Sequence, residues 1–543
     1  MRKIPSGPVI NFNSPLFFLD NPGLLLNPDS MRPFRLFASI APLLFSIFQS
    51  TEIIAATNGS PRPDILIIMP DQMRGDCLSI LGHPVVQTPN LDRLAREGAL
   101  FRRGYSTCPS CIPARASLLT GLFPQTSGVV GFKARPITAP TMPKILADAG
   151  YTTILVGRYM HQVPSNSFYG FQKEIRGSTY IADDDYDNYL KKVAPESGGI
   201  RKLVEDLGVT MNWWQAKPWP LADDLHPTAW IVRKSREVLT NVPSDKPLFL
   251  TASFFAPHSP LFPPKKYFDA CLSSNLPPPA HGDWVKWSEL KPEGNRSGDR
   301  VLLQGEKLRE AQAGYFGLID HLDEQLGFLI TAFQARSEQA KRPWVILLIS
   351  DHGEMLADNG YYRKCEPFEG SANIPFVIAG SPDLGFKPGL RTKQPVCLED
   401  VMPTVLSLAG ASVPKPMDGI NLTPFLRGET QAVRDWLHFE HAPCYNQEQA
   451  FQALTDGHIK YIWRTLDGTE YLFDLENDPH EEHDLSKVSA QAGVLKQTRE
   501  RLIKRLAGRP EGFTDGTNLI PGRPYLPLQA NKGPAPKKEG ESE

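Results

Sequence analysis

The chain has 543 residues, with 58 lysine and arginine residues against 60 aspartate and glutamate residues, so its formal net charge at pH 7 is −2. It has no excess of positive charge to neutralise a phosphate backbone, which argues against a dedicated nucleic-acid-binding protein. A mean hydropathy of −0.28 is typical of a globular protein rather than a polytopic membrane protein or a disordered chain. The seven cysteines form no zinc-binding pattern, and their odd number calls for an explanation.

The N-terminal region carries the pattern of a secretory signal. Two arginines follow Met31, an apolar run of about 13 residues follows them, and small residues come next. Such a run is too short for a typical bilayer span. We therefore predict a signal peptide at 31–57, with 1–30 as an upstream extension that precedes the true start. The predicted location is secreted or periplasmic, with no stable membrane anchor after cleavage; an uncleaved anchor is the alternative.

Strands and helices are predicted in alternation along the central part of the chain. Buried-strand patterns occur at 63–70, 152–157, 247–255 and 344–350. One helix is predicted in TPNLDRLAREG, where proline lies in the first turn and glycine follows the last. A longer helix is predicted over about 305–335, where apolar residues recur at three- and four-residue steps. The alternation predicts an α/β fold with a doubly wound sheet, whose ligand crevice lies at the carboxyl ends of the strands.

The character of the chain changes after about residue 430. HIKYIWRT, a short turn and EYLFDL predict a β-hairpin, and a polar helix is expected near 489–507. We place a catalytic domain at 62–430 and a C-terminal α+β subdomain with a small antiparallel sheet at 431–526. The remaining segment, 527–543, is rich in Pro, Lys, Glu and Gly and is expected to be a disordered tail.

The segment CPSCIPARASLLTG, from Cys108 to Gly121, is the most informative in the chain. Pro113 suits the first position of a helix and Gly121 its end, so Cys111 is expected just before the helix. Backbone N–H groups and the positive end of the helix dipole make that position an anion site. A packed or disulfide-bonded structural cysteine is the alternative.

Two strand ends supply oxygen-rich side chains. Asp71 and Gln72 follow the first strand, and Asp351 and His352 follow the strand at 344–350. Converging in the crevice, they would suit a hard divalent cation such as Ca²⁺ or Mg²⁺ better than zinc, because the set contains only one imidazole. An aspartate at a strand end can also act as a helix cap.

The motif Cys111-x-Pro113-x-Arg115, followed by SLLTG, resembles the core motif of the type I sulfatases of the alkaline phosphatase superfamily, in the arylsulfatase and iduronate-sulfatase-like branch. Further segments match this family in the same order: Asp71, TPNLDRLAREG, Gly157-Arg158, Pro257-His258, SDHGE at 350–354, Lys364 and FDLENDP. The resemblance implies an alkaline-phosphatase-like fold, with a large mixed sheet sandwiched by helices. It also implies a sulfuric ester hydrolase that acts on sulfate monoesters, with a sulfated glycan or small molecule as the expected substrate.

The same resemblance implies a modified nucleophile and a metal ion. Cys111 is expected to be oxidised to formylglycine (3-oxoalanine) by a formylglycine-generating or equivalent maturation enzyme, and the hydrate of that aldehyde is the nucleophile. One Ca²⁺ per chain is expected on Asp71, Gln72, Asp351, His352 and the modified residue 111. Gln72 departs from the more common second aspartate and removes one negative charge from the site.

Five basic residues complete the expected site. Arg115 would hydrogen-bond the hydrate. Arg158 stands where the family has a lysine, so it could clamp oxygen atoms but could not shuttle a proton. His161 is the candidate for taking a proton from the hydrate, and His258 and Lys364 are expected to bind sulfate and protonate the departing alkoxide. For Arg115, His161 and Lys364, a solvated surface position is the alternative.

Two competing functions stay open at this point. Phosphonate or phosphodiester hydrolysis on the same scaffold is one, because Gln72 also occurs in those relatives. A non-catalytic exported binding protein is the other, if Cys111 stays a thiol. Tryptophans in the middle of the chain are candidates for a sugar-binding cleft or for core packing: Trp213, Trp214, Trp219, Trp230 and the cluster at 284–287.

The odd cysteine count is explained if Cys111 becomes an aldehyde. The other six form an even number, which is compatible with disulfides in an oxidising compartment, although no connectivity can be assigned: Cys77, Cys108, Cys271, Cys365, Cys397 and Cys444.

Overall fold

The computed structural model describes residues 61–179, 181–210, 212–292 and 300–529. The predicted upstream extension, the predicted signal peptide and the part of the predicted tail from 530 onward lie outside these residues. In the described ranges, no helix is long and apolar enough to cross a bilayer.

The order of elements follows the alternation predicted from the sequence. The strands are β1 Asp64–Asp71, β2 Ala99–Phe101, β3 Gly104–Tyr105, β4 Thr152–Gly157, β5 Lys173–Arg176, β6 Leu248–Pro257, β7 Trp344–Ile349, β8 Phe376–Gly380, β9 Leu390–Thr392, β10 Val396–Cys397, β11 Leu437–His441, β12 Phe451–Thr455, β13 Ile459–Arg464 and β14 Glu470–Asp474. The helices are α1 Pro89–Glu97, α2 Cys111–Thr120, α3 Pro124–Ser127, α4 Met142–Asp148, α5 Asp185–Val193, α6 Ile200–Asp206, α7 Pro227–Asn241, α8 Lys265–Ser273, α9 Gly305–Gln339, α10 Glu369–Ala372, α11 Val401–Leu408, α12 Thr423–Arg427 and α13 Ala492–Leu506.

The large sheet has the strand order β5-β4-β6-β1-β7-β8-β2-β9. The five strands from β5 to β7 are parallel, whereas β8 runs antiparallel to both of its neighbours. The expected α/β fold with a large mixed sheet is therefore confirmed. The strands β1, β6 and β7 are buried along their whole length, as their continuous apolar runs predicted.

The sheet is covered on both faces, and β1 shows why. Its side chains alternate between two apolar clusters, because successive residues of a strand point to opposite faces. Leu66 and Ile68 pack in one cluster with residues of α1, α7 and α9. Ile65 and Ile67 pack in the other with residues of α2, α4 and α11. The sheet is thus the middle layer of a three-layer structure.

A second, antiparallel sheet follows in the order β11-β12-β13-β14. The predicted hairpin is its last pair, in which Ile459 lies opposite Asp474. One face packs Phe439, Phe451 and Phe473 against Tyr105 and Phe368 of the larger part. The other face is covered by α13, the polar helix expected near 489–507. This packing places the loops around β11 beside the carboxyl edge of the large sheet.

Candidate active site

Four neighbouring parallel strands end where the predicted site residues begin. Asp71 is the last residue of β1, Arg158 follows β4, His258 follows β6, and Asp351 and His352 come shortly after β7. These strands are adjacent in the order β4-β6-β1-β7. Because the carboxyl ends of parallel strands meet at one edge, side chains from distant parts of the sequence gather there.

Helix α2 brings Cys111 to the same edge. The helix begins at Cys111 itself, with Ser110 as its N-cap, and ends before Gly121, whose φ is +66°. The prediction that Pro113 opens the helix was therefore wrong by two residues. Pro113 is the third residue of the helix. A proline is tolerated there because the N–H groups of the first helical turn have no partner within the helix. Ser110 Oγ lies 2.8 Å from His441 Nε2, which ties the start of the helix to β11.

A compact set of ligand-type atoms lies at this edge. One such atom each from Asp71, Cys111, Asp351 and His352 falls within 4.8 Å of all the others, and all four residues are buried. The two carboxylates suit a hard cation such as Ca²⁺, whereas the Cys111 thiol and the imidazole are softer donors, so a hard-cation site requires an oxygen donor in place of the thiol, as expected for the modified residue 111. The donor set and its spacing therefore fit the cation site that was expected from the sequence.

Arg115 binds one oxygen of each of the two carboxylates, and Arg158 binds the same oxygen of Asp71. The other oxygen of each carboxylate lies on the side of His352. Arg115 donates to Asp71 Oδ2 at 2.9 Å and to Asp351 Oδ2 at 3.1 Å. Arg158 Nε lies 2.6 Å from Asp71 Oδ2. The Oδ1 atoms of the two aspartates lie 3.8 and 3.7 Å from His352 Nε2. Arg115 is thus fully buried between two carboxylates, so the surface alternative for Arg115 is excluded.

The same charges act on the protonation of Asp71. Burial by itself would raise the pKa of this carboxyl, but the guanidiniums of Arg158 and Arg115 outweigh burial and hold the pKa well below its usual range. Asp71 is therefore a carboxylate at neutral pH and can serve as an anionic ligand.

The thiol of Cys111 lies at the centre of the site. Its Sγ atom is 3.1 Å from His352 Nε2, 3.1 Å from Lys364 Nζ and 3.8 Å from Asp71 Oδ1. Burial and the neighbouring Asp71 raise the pKa of the thiol to about 11, against the lowering effect of Lys364. A neutral thiol is a weak nucleophile, so residue 111 is not activated in its cysteine form.

Lys364 joins the thiol to two other predicted residues. Its Nζ atom donates to Gln72 Oε1 at 3.2 Å and lies 3.1 Å from His258 Nε2. His258 Nδ1 is 2.6 Å from the carbonyl of Ser259, which can only accept, so Nδ1 carries the proton and Nε2 accepts from Lys364. Burial and the Lys364 charge hold the pKa of His258 well below its usual range, so the imidazole is neutral here.

Arg158 and His161 form the last part of the predicted set. The Arg158 guanidinium stacks on the Phe255 ring at 4.9 Å, and its Nη2 atom is 3.4 Å from His161 Nε2. His161 is partly exposed. Burial together with the charges of Arg158 and Arg115 lowers the pKa of His161 well below its usual range, so this imidazole is available as a proton acceptor.

Three residues near this set were given no role in the site from the sequence alone. Ser253, inside β6, accepts from Arg115 Nη1 at 3.3 Å, and a buried strand offers no signal for such a role. Phe132 is 43% exposed, and its ring lies 5.8 Å from Lys364 Nζ. Glu354 accepts a hydrogen bond from the amide of Gln72. For Glu354, a signal was available in its position three residues after Asp351.

Most of the tryptophans considered for a sugar cleft belong to the core. All four in the middle of the chain are at most 8% exposed and pack in the main apolar cluster: Trp213, Trp214, Trp219 and Trp230. Trp284 stacks on Phe368 beside the second sheet.

All seven cysteines, including the six considered for disulfides, are free thiols in the structure.

The chain matches known protein families over most of its length. Residues 63–411 match the sulfatase family model, and residues 357–507 match the model described as N-sulphoglucosamine sulphohydrolase, C-terminal. An arylsulfatase from Clostridium perfringens is 37% identical over 491 residues, which cover 86% of this chain and 99% of that protein.

The chain is also similar to a second sulfatase and to a solved hydrolase structure. A choline-sulfatase from Rhizobium meliloti is 31% identical over 432 residues, covering 77% of this chain and 81% of that protein. The solved structure of a phosphonate monoester hydrolase of Agrobacterium radiobacter superposes with a TM-score of 0.69 at 26% identity, covering 82% of this chain and 95% of that one.

Proposed function

The chain belongs to the sulfatase family and is a sulfuric ester hydrolase, and on that premise we propose that Cys111, converted to formylglycine, supplies the nucleophile beside one Ca²⁺. Asp71, Gln72, Asp351 and His352 are the proposed protein ligands of the ion. The observation that carries the proposal is the position of Cys111 Sγ, 3.1 Å from both His352 Nε2 and Lys364 Nζ and next to the two buried carboxylates.

Two groups supply chemistry that the unmodified chain lacks. The hydrate of a formylglycine provides a nucleophilic oxygen at residue 111. A bound Ca²⁺ provides Lewis-acid polarisation of an oxyanion at the same place. Asp71 and Asp351 suit the ion because each has an oxygen that the arginines do not bind.

The basic residues prepare the pocket for an anion. The buried carboxylates of Asp71, Asp351 and Glu354 balance the guanidiniums of Arg115 and Arg158 and the ammonium of Lys364. A bound Ca²⁺ would therefore give the pocket two formal positive charges in excess. A sulfate monoester carries a single negative charge and would complement this excess. Arg158 is tied to Asp71 and cannot release its proton readily, so we assign it a clamping role.

We assign proton transfer to two places in the site. Lys364 and His258 share a contact of 3.1 Å and together hold the proton that a departing alkoxide needs. Since His258 is neutral in this arrangement, the proton resides on the lysine side of the pair until substrate arrives. His161 is neutral as well and is the proposed acceptor for a proton from the nucleophile.

A sulfated carbohydrate or small aromatic sulfate is the proposed substrate. Phe132 supports this class, because it is an exposed aromatic ring close to the ammonium of Lys364, where a leaving group would lie. A sugar or aryl ring can stack on such a side chain. The relatives named above include both an arylsulfatase and a choline-sulfatase, so the leaving group varies within the family.

Phosphonate monoester or phosphodiester hydrolysis is the second candidate activity. It is favoured by Gln72 and by the similarity to the phosphonate monoester hydrolase. Turnover of a matched aryl sulfate and aryl phosphodiester separates the two activities. Much faster cleavage of the phosphodiester would replace the sulfatase as the principal activity.

Maturation and export complete the proposal. Cys111 is only 1% exposed, so a formylglycine-generating or equivalent enzyme must reach the thiol before the chain folds around it. The signal pattern at 31–57 supports secretion or export to the periplasm.

The decisive experiment is the mass of the peptide that contains residue 111, taken from active protein. We expect the mass of the aldehyde or its hydrate. A peptide that carries an intact cysteine in protein of full specific activity would refute the formylglycine mechanism. Intact cysteine in inactive protein would instead indicate an exported binding protein.

A further inference from the structure

Glu354 is a buried carboxylate whose acceptor positions are directed at two parts of the active site. The residue is 1% exposed and lies in the loop that follows β7. Its Oε2 atom accepts a hydrogen bond from the side-chain Nε2 of Gln72. Its Oε1 atom accepts from the backbone N–H groups of Leu356, at 2.8 Å, and Arg363, at 2.5 Å.

These contacts define which way the Gln72 carboxamide points. A carboxylate can only accept hydrogen bonds, so Gln72 must present its NH₂ group to Glu354. The carbonyl oxygen is then directed the other way, where it accepts from Lys364 Nζ at 3.2 Å. A flipped amide would place NH₂ groups against the ammonium of Lys364 and its carbonyl against the carboxylate. Both of those contacts are repulsive.

The same carboxylate also holds the backbone that leads to Lys364. Arg363, whose N–H it binds, directly precedes Lys364, and the φ of Arg363 is +75°, a conformation that few non-glycine residues adopt without support. Gln72 has a φ of +67° and donates its own N–H to Asp351 Oδ1 at 3.1 Å. Glu354, Gln72 and the 363–364 backbone therefore form a closed ring of contacts.

We propose that Glu354 is a positioning residue that fixes the Gln72 carboxamide with its oxygen toward the cation site. The inference rests on the proposed function, because it assumes that Gln72 is a ligand of the ion. It gives a reason for a glutamine at this position: an amide has a donor for Glu354 and an acceptor for the cation, whereas a carboxylate at position 72 would oppose Glu354. Partners of metal ligands that act in this way tune affinity without touching the ion.

The test measures Ca²⁺ affinity by calorimetry in the full-length protein, independently of turnover. We compare the wild type with Glu354→Gln, Gln72→Glu and the double variant. Glu354→Gln is expected to weaken Ca²⁺ binding about 10- to 100-fold, the usual range for losing such a partner. Glu399→Gln is the matched control, since Glu399 is equally buried but contacts Thr107 rather than the site. It should leave the affinity unchanged.

The double variant separates positioning from a general structural role. The Glu354→Gln substitution supplies an NH₂ donor that a carboxylate at position 72 can accept from. Gln72→Glu should therefore raise Ca²⁺ affinity more in the Glu354→Gln background than in the wild type. If Gln72→Glu changes the Ca²⁺ affinity equally in the two backgrounds, the proposal is overturned. It is also overturned if the double variant, folded or not, binds Ca²⁺ no more tightly than Glu354→Gln. If the wild type binds no Ca²⁺, the proposed cation site fails instead.

Discussion

The Nζ atom of Lys364 lies 3.1 Å from the Sγ atom of Cys111, although the two residues are 253 positions apart in the sequence, and both are buried. The same nitrogen also contacts His258 and Gln72. Lys364 therefore joins the proposed nucleophile, its own partner in proton transfer, His258, and a proposed cation ligand. Because of these contacts, a change of charge at one of these residues alters the electrostatic environment of the others.

Replacing the proposed nucleophile should abolish turnover without unfolding the protein. Cys111→Ala is expected to lower kcat on an aryl sulfate at least about 10³-fold, because the remaining residues bind the ester but supply no nucleophile. Cys271→Ala is the control, since Cys271 is also buried but lies on α8, away from the site. Activity in Cys111→Ala within tenfold of the wild type would contradict the assignment.

Arg115 is predicted to be essential for stability as well as for binding. Arg115→Met leaves the buried carboxylates of Asp71 and Asp351 without this shared partner, so the free energy of unfolding should fall by about 3–5 kcal/mol. Added Ca²⁺ should reduce the loss, because a cation can replace the missing positive charge.

The matched control for Arg115→Met is Arg96→Met, which removes an exposed arginine. The side chain of Arg96 is 61% exposed and pairs with Asp92 at 3.7 Å, so its loss should cost less than about 1 kcal/mol. Denaturant unfolding with and without Ca²⁺ measures both variants. An equal effect of the two substitutions would show that burial of Arg115 between the carboxylates has no energetic consequence.

Calcium should stabilise the folded protein through the proposed ligands. At a free Ca²⁺ concentration 100 times its Kd, linkage predicts about 2.7 kcal/mol of added stability, which chelation should remove together with activity. Asp351→Asn should abolish this dependence on Ca²⁺. Asp320→Asn, a carboxylate substitution on α9 away from the site, should preserve it. Thermal unfolding that does not respond to chelation in the wild type would argue against the ion.

The salt bridge between Glu440 and Arg509 predicts a pH dependence of stability. Burial by itself would raise the pKa of Glu440, but Arg509, 2.7 Å away, outweighs burial and lowers the pKa from 4.5 to about 2. A lowered pKa stabilises the folded state above the unfolded value, and this stability is lost as the pH falls from about 4.5 through 2.

Glu440→Gln should therefore cost about 3 kcal/mol at pH 7 and progressively less as the solution is acidified. Denaturant unfolding of the two proteins between pH 7 and pH 2 measures the difference. A difference that stays constant over this range would mean that Glu440 does not titrate with a lowered pKa.

Phe132 is predicted to contact the leaving group. Phe132→Ala should raise KM for aryl or sugar sulfates about 2- to 10-fold through the loss of stacking, with a smaller effect on kcat. Phe168→Ala is the matched control, because Phe168 is exposed to the same degree, 44% against 43%, but packs on Arg176. A KM that is unchanged in Phe132→Ala would exclude this ring from the binding surface.

The sequence by itself determined the architecture and indicated most of the residues that gather at the candidate site. Continuous apolar runs predicted β1, β6 and β7, because strands buried on both faces tolerate few polar residues. Proline and glycine marked the ends of α1, since their backbone preferences act locally. Motif order then indicated which residues gather at the carboxyl edge, from Asp71 to Lys364.

Only the tertiary structure decided how those residues are oriented. Which oxygen of Asp71 binds the arginines, which nitrogen of His258 carries the proton and which way the Gln72 amide points all depend on partners far away in the sequence. The start of α2 and the burial of the tryptophans were decided in the same way. Local patterns record the preferences of a segment, whereas hydrogen-bond direction and desolvation arise only when distant segments pack together.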